Sequence, residues 1–199
     1  MHIPSRDAAR LLLCCAVAAA PAFAFAQDAA PAKPAKPAVG TVMSPSETYG
    51  KLLGLIEKEF VDAAEAKPED KFNFAPPATA GDFKGVRSFG AQVKHVTEAN
   101  YFFFGSGKMS EADAKAAQDA IEKLTSKADM IDALKKSLTQ AHTFVDGITA
   151  DNAFVMTDNG TRGGMASFGI AHMMDHYGQM VVYLRMNGIV PPASRGGNM

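Results

Sequence analysis

The sequence predicts an all-α fold, an up-and-down four-helix bundle with one short extra helix. Apolar residues recur three and four positions apart in four long stretches, and serines stand where the first two of them begin. No two stretches alternate as a pair of strands would. The composition, 47% hydrophobic and 21% charged, is that of a globular protein. Once the ends are set aside, the length allows one domain.

The first 26 residues have the pattern of a secretory signal peptide. Arg6 and Arg10 precede an apolar run, residues 11–26, which ends in the triplet AFA. This order predicts cleavage before Gln27 and a periplasmic or secreted protein. The alternative is a retained membrane anchor, but the run is shorter than the roughly 20 residues of a spanning helix and contains Pro21. Stable membrane insertion is therefore not expected after cleavage.

Both cysteines, Cys14 and Cys15, lie in this apolar run. A lipid-modified cysteine needs a small residue before it, and Leu13 and Cys14 hold those positions, which disfavours a lipoprotein. The mature chain then has no disulfide and no thiol nucleophile. Any metal site must therefore use histidine, aspartate or glutamate.

Residues 27–43 are predicted to be a linker. Pro31, Pro34 and Pro37 stand among small or charged neighbours, which cannot bury enough apolar area to fold. The bundle domain is predicted over residues 44–195.

The first helix is predicted to begin after Ser44, with Pro45 at its first position, and to run to about Ala66. Its inward residues are Tyr49, Leu53, Ile56, Phe60 and Ala64. The next twenty residues are rich in proline and glycine, so a connection across the end of the bundle is expected. The phenylalanines of this connection are expected to cover the core.

Three further helices are predicted before the last one. Ser88 caps the second, which ends near Gly105 and turns Phe89, Val93, Val96, Asn100 and Phe103 inward. Residues 110–127 form a short outer helix without chemistry. Residues 128–148 form the next long helix, with Ile131, Leu134, Leu138, Ala141, Val145 and Ile148 inward.

The stretch from Gly163 to Gly188 is predicted to be the last helix, preceded by a turn at residues 157–160 and stopped by Pro191 and Pro192. The spacing of three and four assigns its inward face to Met165, Phe168, His172, Asp175, Gln179, Val182 and Met186. The middle of this face is polar. Buried polar groups without partners cost roughly 1 to 3 kcal/mol each, so these side chains need something to satisfy them.

A metal ion bound by histidines is one way to satisfy these polar side chains. His172 and His176 are four apart, so both rings project from one helix face and can share a metal ion. The spacing alone is a weak motif, and a hydrogen-bond network or a solvent-lined cleft are the alternatives. His95 on the second helix is the candidate third ligand. His142 is a candidate fourth, although a hydrogen-bonded or partly exposed role is favoured for it.

Two segments carry a resemblance to a known family. They are SFGAQVKHVTEAN, which contains His95, and AHMMDHYGQMVVYLRMNGIVPPASR, which contains His172 and His176. Residues 44–195 resemble the DinB/YfiT-like family of metal-binding four-helix bundles. The resemblance implies a divalent metal, zinc or nickel, held by one histidine of the second helix and an HxxxH pair of the last. Here those ligands are His95, His172 and His176.

The resemblance also implies classes of activity. Some relatives are thiol-dependent S-transferases or isomerases, and others look like metal-dependent hydrolases. Three neutral imidazoles leave the charge of the ion uncompensated and a coordination position open, whereas structural zinc sites are usually closed by four ligands. A metal-dependent hydrolase or thiol transferase acting on an unknown small molecule is therefore expected. The alternative is a non-catalytic stress protein that binds a metal or small ligand.

Neighbouring polar residues complete the predicted site. Glu98 and Asp175 are each three residues from a ligand histidine and could orient an imidazole or act as general base, or be solvated surface charges. Gln179 is predicted to donate a hydrogen bond behind the ligands.

The charge and the motifs exclude one class of partner. The chain carries −1, and residues 1–26 carry +1, so the rest carries −2. With no basic groove, phosphate loop or cluster of catalytic carboxylates, nucleic acid and polymerase activity are not expected. Bundles of this size often pair, so a homodimer is a further expectation.

Overall fold

The computed structural model describes residues 36–105 and 110–196. The predicted signal peptide, the two cysteines and most of the predicted linker lie outside these residues. The chain divides after Thr41 into two units. In residues 36–41 the Thr41 amide donates to the Ala38 carbonyl at 3.1 Å, which closes a turn.

The second unit is all-α, as predicted. Its helices are α1 Pro45–Ala66, α2 Phe89–Phe104, α3 Glu111–Glu122, α4 Lys127–Asp146 and α5 Arg162–Met186. A small hairpin pairs β1 Met156–Thr157 with β2 Gly160–Thr161, and short 3₁₀ turns occupy Glu69–Lys71, Ala78–Ala80 and Pro192–Ser194. The described residues contain no helix both long enough and apolar enough to cross a membrane.

Capping residues set the starts of the helices. Ser44 forms a capping box with Glu47 at the start of α1, and Ser88 accepts from the Ala91 amide at the start of α2. Both predicted starts are confirmed. The prediction that the outer helix reaches residue 127 is wrong, because α3 ends at Glu122 and Ser126 caps α4 instead.

The four long helices form the predicted bundle. α1 packs against α4 and α5, and α2 packs against the same two helices, while α3 lies outside against α2. The connection after α1 therefore joins two diagonal helices, as a long crossing connection should. Its Phe72 is buried at the edge of the core and Phe74 packs against it.

The helices alternate in direction only when α3 is counted. The end of α3 lies beside the first half of α2, because Lys94 donates to the carbonyl of Glu122 at 2.7 Å. α4 then runs parallel to α2, with the Asn100 amide donating to Ser137 at 3.0 Å. α5 returns antiparallel to α2, since Gly169 lies against Phe104 near the end of α2 and His176, further along α5, bonds to Gln92 near its start.

The predicted inward face of α5 is wrong for most of its residues. Met165 is buried, but Phe168, Val182 and Met186 are 62%, 51% and 40% exposed. The buried face is the neighbouring stripe, made of Gly163, Met165, Ala166, Gly169, Ile170, Met173, His176, Met180, Tyr183 and Leu184. This stripe contains small residues, which bury little apolar area and give a weak hydrophobic signal, so the spacing pattern matched the stripe beside it.

Gly169 lets α5 approach α2 closely. A Cβ at this position would lie 2.6 Å from Cζ of Phe104 and 3.0 Å from Cβ of Phe103, closer than packed carbon atoms allow. About two turns further along α5, His176 is within direct hydrogen-bonding distance of Gln92 on α2.

Candidate metal centre

Three histidines from two helices meet in the α2–α5 interface. His95 comes from α2, and His172 and His176 lie one turn apart on α5. One ring nitrogen of each lies within 4.8 Å of the other two. The ring centroids are 5.1 Å apart for His95 and His172, 4.9 Å for His95 and His176, and 4.6 Å for His172 and His176.

Their burial follows from their place on the helices. His176 lies on the buried face of α5 and is 6% exposed. His172, at the edge of that face, and His95, on α2, are both half-buried. The cluster therefore has an inner side in the core and an outer side towards solvent.

Hydrogen bonds decide which nitrogens are available. Nδ1–H of His176 donates to Oε1 of the buried Gln92 at 3.1 Å, which leaves Nε2 of the same ring free to bind a metal. Nε2 of His172 is buried and has no hydrogen-bond partner among the described residues. A buried nitrogen with an unused lone pair is costly unless a ligand satisfies it.

The surroundings of all three imidazoles favour the neutral form by lowering their pKa values. Burial lowers the pKa of His176 to about 4, and its two neighbouring histidines add to this effect. Burial also lowers the pKa of His95 and of His172, and the positive charge of Arg87 lowers both further. Neutral imidazoles are the form that binds metal ions, so the cluster needs little proton release before it binds one.

The residues present fit a divalent metal ion. Zinc–nitrogen bonds of about 2.0 to 2.1 Å in a tetrahedral site place two ligand nitrogens about 3.3 Å apart. The three ligand nitrogens lie within 4.8 Å of one another, so the rings would have to move closer together to share one ion. Among the described residues the cluster has three members, so a four-coordinate ion would keep one position for water or substrate.

The two candidate carboxylates lie in different surroundings. Glu98 is half-buried, its Oε1 is buried without a partner among the described residues, and burial together with Glu122 raises its pKa. Asp175 is exposed and accepts from the amide of Gln179 at 3.2 Å. Within the described part of the chain, neither carboxylate makes a hydrogen bond to a histidine of the cluster. The negative charge of Asp175 nevertheless opposes the lowering of the pKa of His172 and His176.

His142 lies apart from the cluster. Its Nε2 pairs with the carboxylate of Glu57 on α1, and both side chains are about one third exposed. The hydrogen-bonded, partly exposed role favoured for this histidine is what the structure gives.

Sequence reasoning missed Gln92, Arg87 and the contact of Phe103 with His172. Gln92 is a fully buried polar residue between Phe89 and Val93, and that position in an apolar stripe is the signal that could have identified it. Its pairing with His176 depends on the register of α2 against α5, which a single sequence does not encode locally.

One comparison with known proteins gave a match. A model of the DinB superfamily matches residues 53–180, a span that includes all three histidines and Gln92. A search among curated proteins found no match. The family model covers more than half of the chain, which confirms the predicted resemblance, and the chain therefore belongs to the DinB superfamily.

Proposed function

We propose that the chain is an exported enzyme that holds one divalent ion, zinc or nickel, through His95, His172 and His176 and catalyses hydrolysis or thiol transfer. The observation that carries the proposal is the convergence of three neutral imidazoles, one of them with a buried nitrogen that has no partner in the described part of the chain. Binding of metal ions within the DinB superfamily supports it.

The donor set favours a catalytic site over a structural one. Three neutral ligands contribute no charge, so the ion would keep its full positive charge and an open position. Such an ion acts as a Lewis acid that polarises a carbonyl or lowers the pKa of a coordinated water or thiol.

Glu98 is the residue best suited to move a proton. It stands one turn after His95 on the same helix, and burial raises its pKa above that of an exposed glutamate, towards neutral pH. We therefore propose Glu98 as the general base. We do not assign this role to Asp175, because its carboxylate accepts a hydrogen bond from Gln179. Its negative charge instead opposes the lowering of the pKa of His172 and His176.

Export from the cytoplasm favours hydrolysis over thiol transfer. The charged start, apolar run and AFA triplet of residues 1–26 support secretion. Small thiols are scarce outside the cytoplasm, so a thiol cosubstrate is harder to supply there. N-terminal sequencing of the protein from a periplasmic fraction tests this part; Gln27 is expected as the first residue, and an intact N-terminus in the cytosol would contradict it.

Elemental analysis tests the metal site. The protein from Gln27 to Met199, purified without chelator or affinity histidines, is expected to hold about one zinc or nickel per chain. His172→Ala should lose the metal, and the matched control His142→Ala should retain it, because His142 pairs with Glu57 outside the cluster. A protein without metal even after reconstitution would refute the proposal.

Turnover separates the enzyme from a second candidate, a non-catalytic protein that binds a metal or small ligand. The second candidate is favoured by one observation, namely that neither carboxylate contacts a cluster histidine through a hydrogen bond in the described residues. A metal-loaded protein that cleaves activated esters or transfers a thiol, with the Glu98→Gln variant slowed, supports the enzyme. A full metal site with no turnover across such a panel supports the binding protein.

A further inference from the structure

A series of aromatic rings leads from the surface to the histidine cluster. Phe102 and Phe168 each pack edge-on against Phe103, with ring centroids 5.2 and 5.1 Å away. Phe103 in turn lies 5.4 Å from the ring of His172. We call Phe102, Phe103 and Phe168 the aromatic wall.

The outer rings of the wall are exposed. Phe102 is 57% and Phe168 is 62% exposed, whereas Phe103 between them is 7% exposed. Phe168 stands one turn before His172 on α5, so its ring lies on the same face as that ligand. Exposed aromatic surface beside a half-buried polar cluster is typical of a ligand site, because rings supply apolar contact and the polar groups fix orientation.

One cation on the described elements, Arg87, acts on the whole cluster. Arg87, just before α2, has an exposed side chain with no hydrogen bond or ion pair to a described residue, and its charge reaches all three histidines. The ion of the proposed function would add two positive charges that neutral ligands do not offset. The carboxylates that act in the opposite sense are Asp175, on His172 and His176, and Glu122, on His95.

We infer that the aromatic wall binds the flat apolar group of a small anionic ligand whose donor oxygen or sulfur lies at the metal. This inference rests on the proposed metal site and names the class of molecule that it accepts. The ring of Phe103 lies 5.4 Å from that of His172, so a small aromatic molecule bound to an ion held by the histidines would be within reach of the wall. Aliphatic anions of the same donor type would bind through the metal alone.

A pair of hydroxamates tests the inference. Benzohydroxamate and acetohydroxamate share the chelating group and differ by a phenyl ring in place of a methyl group. Titration calorimetry on the zinc-loaded protein is expected to show benzohydroxamate binding about tenfold more tightly, as partial burial of a phenyl ring predicts. Phe168→Ala should reduce this preference to about twofold or less. Phe154→Ala is the matched control, since Phe154 is 82% exposed and outside the wall, and should keep the preference.

The controls separate the possible failures. Metal content is measured on the same samples: absence of zinc would overturn the proposed function and this inference with it. A loaded protein that binds the two hydroxamates equally, or a Phe168→Ala variant that keeps the preference, would overturn the inference alone. Light scattering adds a third result, because a dimer that Phe168→Ala converts to a monomer would assign the wall to contact with a second copy and overturn the ligand assignment.

Discussion

Replacing Gln92 with leucine removes the acceptor that holds the ring of His176 in the α2–α5 interface. The Nδ1–H of His176 now donates to Oε1 of Gln92 at 3.1 Å. A metal at Nε2 requires the proton to stay on Nδ1, so in the variant the metal-bound ring would carry a buried donor without a partner. In the metal-free variant the proton can move to the other nitrogen. The penalty therefore falls mainly on the metal-bound state.

The size of the effect follows from the burial of both groups. A buried donor left without a partner costs about 1 to 3 kcal/mol. Each 1.4 kcal/mol changes an equilibrium constant by about tenfold, so the metal affinity of Gln92→Leu is expected to fall roughly 5- to 150-fold. Losses of about 10- to 100-fold are common when a group that orients a ligand histidine is removed.

Competition with a chromophoric chelator measures this change for zinc, and ¹⁵N NMR of the metal-free protein reports which nitrogen of His176 holds the proton. Gln92→Glu is the matched control, because a carboxylate keeps an acceptor of similar shape and should preserve the affinity. Urea unfolding of the metal-free variants checks that the fold is intact. An unchanged zinc affinity in Gln92→Leu, with the proton still on Nδ1, would refute the reasoning.

Three further predictions concern stability, each measured by urea unfolding of the metal-free protein. Gly169→Ala is expected to cost about 1 to 3 kcal/mol, because the added Cβ would lie 2.6 Å from Phe104. Gly178→Ala on the same helix meets nothing within 4 Å and should gain up to about 1 kcal/mol. Equal effects of the two substitutions would contradict the close approach of α2 and α5 at Gly169. His176 has its pKa lowered from 6.5 to about 4, so the unfolded state takes up its proton first as the pH falls, and stability should decline by up to about 3 kcal/mol between pH 6.5 and 4. His176→Gln should flatten this decline, and an unchanged slope would argue against the buried neutral ring. Burial lowers the pKa of Lys67 to about 8, so Lys67→Met should be more stable at pH 7 by about 1 to 2 kcal/mol once solvent screening is allowed for, and this gain should vanish above about pH 10; a loss of stability at pH 7 would show that the lysine's contacts outweigh its burial cost.

Local chemistry explains what the sequence predicted well. Ser44 and Ser88 cap helices through bonds to residues three positions away, so the starts of α1 and α2 could be predicted from short segments. The end of α3 was missed because Lys123 and Leu124 still favour a helix beyond Glu122, while the cap at Ser126 belongs to the next helix.

The sequence predicted which histidines meet but not what surrounds them. The i, i+4 spacing places His172 and His176 on one face, and bundle packing together with the family resemblance pointed to His95 on the facing helix. The pairing of Gln92 with His176 joins residues 84 positions apart and depends on how α2 and α5 align. The face of α5 was misassigned for a related reason: Ala166 and Gly169 are buried because α2 comes close, and packing rather than hydrophobicity decides that.

The position of the cluster at the edge of the buried face of α5 argues that it is more than a structural network. His176 is in the core while His172 lies at its edge, so the three rings span the boundary between protein and solvent. A structural network would satisfy its own polar atoms, yet Nε2 of His172 is buried without a partner among the described residues. An ion that satisfies it binds the folded state alone, and zinc free at 100 times its dissociation constant would raise the free energy of unfolding by about 2.7 kcal/mol. A hydrogen-bonded cluster without metal affinity would unfold at the same urea concentration with and without zinc. The dependence of stability on zinc therefore distinguishes the two interpretations without any assumption about the substrate.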